Sequence, residues 1–310
     1  MQLADGSLLV TTSAGAIGGQ GAVVQIDIGA QPDAEVIHSF ASAGYSPTGR
    51  LTAGADGTLY GTAYLGGSSI CTVERCGTVF SVGPHDTVSD IFANKYGSPF
   101  GDLGKTSAGT LNAANVRVGA FRGTATGLIP TAAAEITTTG AVVRYLGLAG
   151  FNGPTETDAG GLYGVRVDQF QHWLSRAEPG GGEVTTPLHQ FTGPDGLLPY
   201  GALLRGIDGS LYGTTVAGGA AGFGTVFRFT PGGSLTTLHH FNGAEGANPF
   251  GALVQGSDGR LYGTTANGGL GAGFGRCLPH RARRHRVHRT ACVGAGRRNE
   301  SNRRIGPSAG

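Results

Sequence analysis

The chain has 310 residues, including 59 glycines and 14 prolines, and only 14% of its residues are charged. Its apolar residues, 39% of the total, form no stretch of 18, which predicts no membrane span and favours a packed body with many tight turns. The charge is uneven, because residues 276–310 hold ten of the 22 Lys and Arg residues and a single acid. The other 275 residues hold 12 basic and 19 acidic groups, a balance that does not indicate nucleic acid as a partner.

One eight-residue phrase occurs twice, as DGSLYGTT at 208–215 and as DGRLYGTT at 258–265. Weaker copies read DGSLLVTT at 5–12, DGTLYGTA at 56–63 and GGLYGV at 160–165, and AGTLNAA at 108–114 lies where a further copy is due. The leucines of the six phrases follow one another at steps of 51, 52, 51, 49 and 50 residues. A regular period of this length is typical of propellers and solenoids.

Each well-preserved unit has four short runs rich in Val, Leu, Phe, Thr and Tyr, bounded by glycine, proline or Asp-Gly. In the fifth unit they read LPYGALLRG (198–206), LYGTT (211–215), GTVFRF (224–229) and LTTLHHF (235–241). Such runs predict short β-strands. The Asp-Gly step predicts a two-residue type I′ hairpin turn, because glycine adopts a positive φ without strain and aspartate tolerates one. We therefore interpret the repeated phrase as a structural part and not as a catalytic site.

The predicted fold is all-β: a β-propeller built of four-stranded blades of about 50 residues. Six repeat positions are visible, near 1–49, 50–99, 100–150, 151–197, 198–247 and 248–275, and the last of them is truncated. Units three and four diverge from the pattern. Between Leu146 and Leu162 there is hardly room for a first strand, so the fourth blade is expected to be irregular.

The phrases LYGTT, GFGTVFRFTPGG, LTTLHHF and NPFGALVQGSDG resemble the GloVer tandem repeat of the choice-of-anchor bacterial proteins. The resemblance covers residues 1–275 and is strongest over 186–275. It implies β-propeller-like repeats on an exported or surface-anchored protein, and it supplies no catalytic residues. The opening MQLADGSLLV already lies within a repeat and lacks the basic and apolar regions of a signal peptide, so the chain as written is expected to carry none.

Candidate binding residues fall at one end of the predicted blades. Loops between the second and third strands share this end with the connections to the next blade, and loops on a rigid scaffold concentrate binding residues. The candidates are Asp195, Glu245, Phe223 and Phe274. Acids with aromatics suit a glycan or a protein ligand, although the acids could equally serve only to solvate the turns. We expect a non-catalytic surface module that binds through this face and needs no cofactor and no metal.

A polysaccharide hydrolase or lyase is the alternative function. It requires two carboxylates about 5–9.5 Å apart in a cleft. The carboxylates to inspect are Glu156, Asp168, Asp195 and Glu245.

Three histidines recur two residues before the aromatic that ends the fourth strand: His38, His189 and His239. One active site does not need three copies, so we predict that they make structural hydrogen bonds. Cys71 and Cys76 lie in one predicted hairpin loop, close enough for a disulfide, and two free thiols are the alternative.

The basic segment 276–310 breaks the repeat where a third strand is due. A shift of the reading frame near the Arg276 codon would restore the missing strands, and this interpretation predicts a disordered tail outside the body. A Cys/His zinc element, whose spacing is unusual, and a basic nucleic-acid arm are the other interpretations.

Overall fold

The computed structural model describes the backbone of residues 6–14, 19, 21–27, 33–40, 46–54, 57–64, 77–83, 88–94, 101–117, 131–146, 148, 153–168, 171–177, 185–256, 258–268 and 277–281. These residues form 22 strands, β1–β22, in six antiparallel sheets and contain no helix. Each sheet is a meander of consecutive strands, and sheets 1–5 each fall within one of the sequence units.

Sheets 1 and 6 have three strands in the described residues, and sheets 2–5 have four. Sheet 1 comprises β1 (Leu8–Thr12), β2 (Ala22–Asp27) and β3 (Asp33–Ser39). Sheet 2 comprises β4 (Thr52–Ala53), β5 (Leu59–Ala63), β6 (Gly77–Val82) and β7 (Val88–Asn94). Sheet 3 comprises β8 (Gly104–Lys105), β9 (Leu111–Arg117), β10 (Thr131–Ile136) and β11 (Val142–Leu146). Sheet 4 comprises β12 (Thr155–Glu156), β13 (Leu162–Asp168), β14 (Gln171–Ala177) and β15 (Thr185–Phe191). Sheet 5 comprises β16 (Leu204–Arg205), β17 (Leu211–Thr215), β18 (Thr225–Thr230) and β19 (Ser234–His240). Sheet 6 comprises β20 (Val254–Gln255), β21 (Arg260–Thr264) and β22 (Cys277–Arg281).

The first strand of sheets 2–6 is only two residues long. Strand β12 contacts both β8 and β16, so the first strands of sheets 3, 4 and 5 lie side by side. We call this the inner edge of the sheets. Because a first strand needs only two residues, the fourth sheet also has one, and the prediction of an irregular fourth blade is wrong.

The Asp-Gly turn differs from the predicted type I′ hairpin. In sheet 5, Gly206 N–H donates to Ser210 O at 2.8 Å and Gly209 N–H donates to Gly206 O at 2.9 Å, so the loop has three residues. Gly209 has a φ of 73°, whereas Asp208 keeps a negative φ. This is a type I turn followed by a left-handed glycine. It is favoured because the Asp208 carboxylate accepts hydrogen bonds from Ser210 N–H at 3.0 Å and from the Tyr212 hydroxyl at 2.8 Å.

Five clusters of buried apolar side chains each join one sheet to the next. Between sheets 4 and 5, for example, Phe191 packs against Phe227 with ring centroids 5.2 Å apart, and Phe40 and Phe80 repeat this contact between sheets 1 and 2 at the same distance. Burying one such side chain stabilises the fold by about 1.5–3 kcal/mol. The sheets therefore pack face to face in chain order, as propeller blades do.

The threonine of the YGT sequence forms a second junction between sheets. Thr62 Oγ1 donates to Gly101 O at 2.6 Å and Thr214 Oγ1 donates to Gly251 O at 3.2 Å, in each case in the next sheet. Thr11 donates to Gly49 O at 2.8 Å in the same way. The repeated phrase thus supplies a turn, a buried strand and a hydrogen bond to the neighbouring unit.

The outermost strand of four sheets carries a bulge at the same place. The pairing shifts by one residue at Ile37, Ile91, Leu188 and Leu238 in sheets 1, 2, 4 and 5. Each extra residue packs against an apolar cluster. Bulges twist an exposed edge and hinder pairing with another chain.

Sheet 6 differs from the prediction that only its first two strands remain. Residues 277–281 run antiparallel to β21, with Thr264 opposite Cys277 and Arg260 opposite Arg281. They take the place of the missing third strand, because the backbone groups along an unpaired strand edge accept any extended segment of matching length. For residues 282–310, which lie outside the described residues, the predicted tail stays a prediction.

Candidate functional site

Asp195 belongs to the connection that follows the outer strand of sheet 4. Its carboxylate lies 2.5 Å from His189 Nε2 and accepts the Thr192 backbone N–H at 3.0 Å. Partial burial opposes ionisation of Asp195, but the Thr192 and His189 contacts outweigh it, so the pKa of Asp195 lies below its usual value. The side chain therefore closes a turn within its own unit.

Glu245 holds the corresponding place in sheet 5. His239 Nε2 lies 3.1 Å from Glu245 Oε1, and Asn242 Oδ1 accepts the Glu245 backbone N–H at 3.2 Å. His189 and His239 also meet the closing phenylalanine edge-on, at 5.2 Å from Phe191 and 4.9 Å from Phe241. His189 thus makes the structural hydrogen bond predicted from the repetition, and His239 makes an ion-pair contact at the same place, whereas the connection after His38 lies outside the described residues.

Among the predicted ligand residues that the structure describes, Phe223 is the one classed as exposed. Its side chain is 41% exposed and lies beside the connection of Glu245, where a Cβ on Gly243 would meet the ring at 3.3 Å. Phe274 lies outside the described residues, as do Cys71 and Cys76. The backbone of Asp168 ends β13, while its side chain is not described.

A cavity of about 250 Å³ opens along the inner edge. Charged side chains from four consecutive sheets line it: Arg50, Asp102, Lys105, Glu156 and Arg205. Of the four carboxylates singled out from the sequence, only Glu156 contributes to this wall. The other acid of the cavity, Asp102, was not anticipated.

Ion pairs and hydrogen bonds between neighbouring sheets occupy most of these charges. Asp102 accepts Arg50 Nε and the Arg50 backbone N–H, both at 2.8 Å. Glu156 accepts both the backbone N–H and the hydroxyl of Ser107, the latter at 3.0 Å. Arg205 pairs with Asp158.

These contacts follow a rule along the chain. The second residue of an inner strand reaches the turn between the first two strands of the preceding sheet, as Glu156 reaches Ser107 and Arg205 reaches Asp158. In sheet 6, Gln255 Oε1 accepts the Ile207 backbone N–H at 2.9 Å. Lys105 occupies the same position in sheet 3, and within the described residues its ammonium group makes no hydrogen bond or ion pair.

Two aromatic side chains pack on each other near the cavity, and one of them, Tyr200, lines a hollow that adjoins it. Tyr200 and Phe250 occur four residues before the inner strands β16 and β20, in the sequences PYG and PFG, and their ring centroids are 5.7 Å apart. Phe250 is 52% exposed. Tyr200 lines a small hollow whose wall shares Ala202 and Leu203 with the large cavity.

An unusual backbone holds these aromatics. Among the described residues, Leu198 and Asn248 are the two non-glycine residues with positive φ, 58° and 56°, and each stands two residues before an aromatic. A bulky residue such as Leu198 rarely adopts this conformation, which costs it on the order of 1–3 kcal/mol, whereas asparagine adopts it more readily. Sheet 2 has Ser46 at the same place, with the same backbone hydrogen bond at 2.9 Å, but with a negative φ and with Thr48 in place of the aromatic. The repeat itself therefore does not require the strained conformation.

The aromatic pair was missed in the sequence although its phrases were recognised. The signal for it is a second periodicity, proline-aromatic-glycine at 199–201 and 249–251, with PFG also at 99–101. Arg50 and Lys105 carried no comparable signal, because they lie in units where the phrase is weak.

Meandering four-stranded sheets that pack face to face in chain order define a β-propeller-like repeat protein. Residues 159–277 match the Gloeobacter/Verrucomicrobia repeat, and over these residues the predicted resemblance to a repeat family is confirmed. No curated protein sequence matches the chain.

Solved structures support the fold. Virginiamycin B lyase from Staphylococcus aureus aligns with a TM-score of 0.54 at 15% identity, over 84% of this chain and 74% of that one. A proposed oxidoreductase (glucose dehydrogenase) from Thermus thermophilus aligns with 0.57 at 15% identity, over 90% and 94%. TolB from Acinetobacter baumannii aligns with 0.53 at 13% identity, over 88% and 59%. At these identities the likeness concerns the fold alone.

Proposed function

We propose that the protein is a non-catalytic binding module that takes a glycan on the face carrying Tyr200 and Phe250. The observation that carries the proposal is the aromatic pair, because Leu198 and Asn248 hold it in a strained backbone that sheet 2 does without. A strained backbone conformation that the fold does not require is typically retained because it positions a functional group. The rings offer flat apolar surfaces beside polar groups, which suits the C–H face and the hydroxyl groups of a sugar.

The propeller-like fold supports six blades, of which the last is incomplete. We propose in addition that the six sheets close into a ring. A surface or extracellular location is supported by the repeat family, which is of bacterial surface type. No helix in the described residues is long and apolar enough to cross a membrane.

A hydrolase or lyase is the second candidate, because Glu156 and Asp102 share one cavity. Catalysis by a carboxylate pair requires one group to donate a proton and the other to act on the sugar. Here Asp102 faces Arg50 and Glu156 faces the two donors of Ser107, so both already have partners. This arrangement favours binding over proton transfer.

A glycan and peptide array on the purified chain tests the binding function, followed by titration of the best ligand. Phe250→Ala is expected to weaken binding roughly two- to tenfold, since an aromatic contact contributes about 0.5–1.5 kcal/mol beyond its buried area. Ile207→Ala is the matched control, because Ile207 is 86% exposed and lies in the Asp-Gly turn. Absence of any glycan signal, or equal affinity of Phe250→Ala and the wild type, would contradict the proposal. Release of new reducing ends, lost in Glu156→Gln, would favour the enzyme instead.

A further inference from the structure

We propose that the glycan is acidic and that the cavity at the inner edge binds one sugar carboxylate, which Lys105 contacts. This inference rests on the proposed glycan-binding function and names its ligand class.

The basic residues of the body are concentrated at this cavity. Three of the 12 Lys and Arg residues that precede residue 276 line it: Arg50, Lys105 and Arg205. The cavity wall also holds Asp102 and Glu156, so its net charge is +1, whereas the same 275 residues are acidic overall, with 19 Asp and Glu residues. A local cluster of cations in an acidic body indicates selection for a negatively charged group.

Lys105 is the cation left for a ligand. Arg50 is paired with Asp102 at 2.8 Å and Arg205 with Asp158, whereas Lys105 departs from the rule that the second inner-strand residue reaches the preceding turn. The turn that precedes it in sequence carries Ala55 where Ser107 and Asp158 stand in the next two units, and alanine has no polar group to offer. An ammonium group with no partner among the residues that the structure describes matches a single negative charge.

Glu156 restricts where the acidic group can lie. Its carboxylate would repel a second one, and it belongs to sheet 4, whereas Lys105 and Arg50 belong to sheets 3 and 2. The sugar carboxylate therefore lies towards Lys105 and Arg50, and hydroxyl groups of the same sugar donate to Glu156. A uronic acid carries both kinds of group.

The aromatic pair and the cavity form one continuous site. Ala202 and Leu203 line both the cavity and the hollow beside Tyr200, and Gly153 does the same from the neighbouring sheet. A cavity of about 250 Å³ accepts roughly one sugar ring. An oligosaccharide thus stacks one ring on Tyr200 and Phe250 and places the next in the charged cavity.

Calorimetric titration with three oligosaccharides of equal length, one neutral, one of uronic acids and one sulfated, tests the inference. The wild type is expected to bind the uronate most tightly. Lys105→Met, which keeps the aliphatic stem, is expected to weaken uronate binding about tenfold or more while the neutral sugar binds as before, since a hydrogen bond to a charged group contributes about 1.5–3 kcal/mol. Lys105→Arg restores most of the affinity. Arg260→Met, which removes a cation that does not line the cavity, leaves it unchanged.

The outcomes separate the two proposals. If neutral and uronate ligands bind the wild type equally, or if Lys105→Met with an unchanged thermal midpoint keeps its uronate affinity, the acidic ligand is refuted and glycan binding stands. Preference for the sulfated ligand refutes the carboxylate in favour of a sulfate ester. If no oligosaccharide binds, both proposals fail.

Discussion

Gly213, the glycine of LYGTT in sheet 5, has no room for a side chain. A Cβ placed there would lie 2.4 Å from Cζ and 2.8 Å from Cε1 of Phe227. Phe227 is fully buried between sheets 4 and 5 and packs against Phe191, so its ring cannot move aside freely. Gly61 and Phe80 repeat the contact in sheet 2 at 2.5 Å. Substitution by alanine should therefore destabilise the protein.

Two effects of Gly213→Ala oppose each other. Overpacking of a buried site costs about 1–3 kcal/mol, whereas alanine lowers the entropy of the unfolded chain and returns about 0.4–1 kcal/mol. The steric clash is the larger of the two effects. The free energy of unfolding therefore falls by about 1–2 kcal/mol, which lowers the thermal midpoint by roughly 2–8 °C. Thermal unfolding followed by circular dichroism measures this change.

Gly232→Ala is the matched control, since a Cβ there meets no atom within 4 Å and its φ is not positive. That variant should be as stable as the wild type or slightly more stable. A second substitution, Phe227→Leu, makes room for the new methyl group, so the double variant should lose less stability than the two single losses together. The reasoning is refuted if Gly213→Ala is no less stable than Gly232→Ala, or if the two substitutions are additive.

Three further outcomes are expected. Burial and the hydrogen bond to Asp208 raise the pKa of Tyr212 to about 12, so its hydroxyl stays protonated and donates that bond. Tyr212→Phe removes the bond and should lower the free energy of unfolding, measured with urea, by about 1 kcal/mol. An unchanged urea midpoint would contradict this. Asp208 is also partly buried, but Tyr212, Ser210 and the Arg228 charge outweigh this, so the pKa of Asp208, like that of Asp195, lies below its usual value. The folded state then binds fewer protons, and its stabilisation is complete above about pH 4 and lost as the pH falls through the folded pKa. Asp195→Asn should flatten the fall of the unfolding midpoint as the pH drops below about 4, and an unaltered slope there would argue against this linkage. Cys71 and Cys76 should be paired in protein purified from an oxidising compartment, and mass spectrometry that finds two alkylatable thiols there would disprove the disulfide.

The repeat made much of the fold predictable. The period and the alternating runs placed sheets 1–5, because a short strand between glycine-rich turns can satisfy its backbone only in a sheet. The predicted turn type was wrong. The choice between two and three loop residues depends on the hydrogen bonds that the Asp208 carboxylate accepts from Tyr212 and Ser210, and the Asp-Gly dipeptide alone does not reveal these contacts. The irregular fourth blade was wrong because an inner strand needs only two paired residues.

The candidate site was less predictable. Asp195 and Glu245 were chosen because acids in loops often bind ligands, yet each lies against a histidine of its own unit. The cavity combines residues about 50 positions apart, and neither Arg50 nor Lys105 stands in a recognisable motif. The packing of one sheet on the next brings these residues together. The repeat period in the sequence predicts that the sheets pack, but it does not indicate which side chains meet at the cavity.

The hydrogen bonds from Thr62 to Gly101 and from Thr214 to Gly251 have a consequence for how such a chain can grow. The donor lies in the repeated phrase of one unit and the acceptor in the opening phrase of the next, so a unit that keeps this threonine, such as the second or the fifth, contains both halves of the junction. A duplicated gene segment of one period would insert a unit that fits its neighbours on both sides without any new interface. Stability in such an array is approximately a sum of single-unit and neighbour terms. Lengthening by duplication, followed by divergence of the inner-edge residues, therefore offers this chain a route to new ligands that leaves its framework intact.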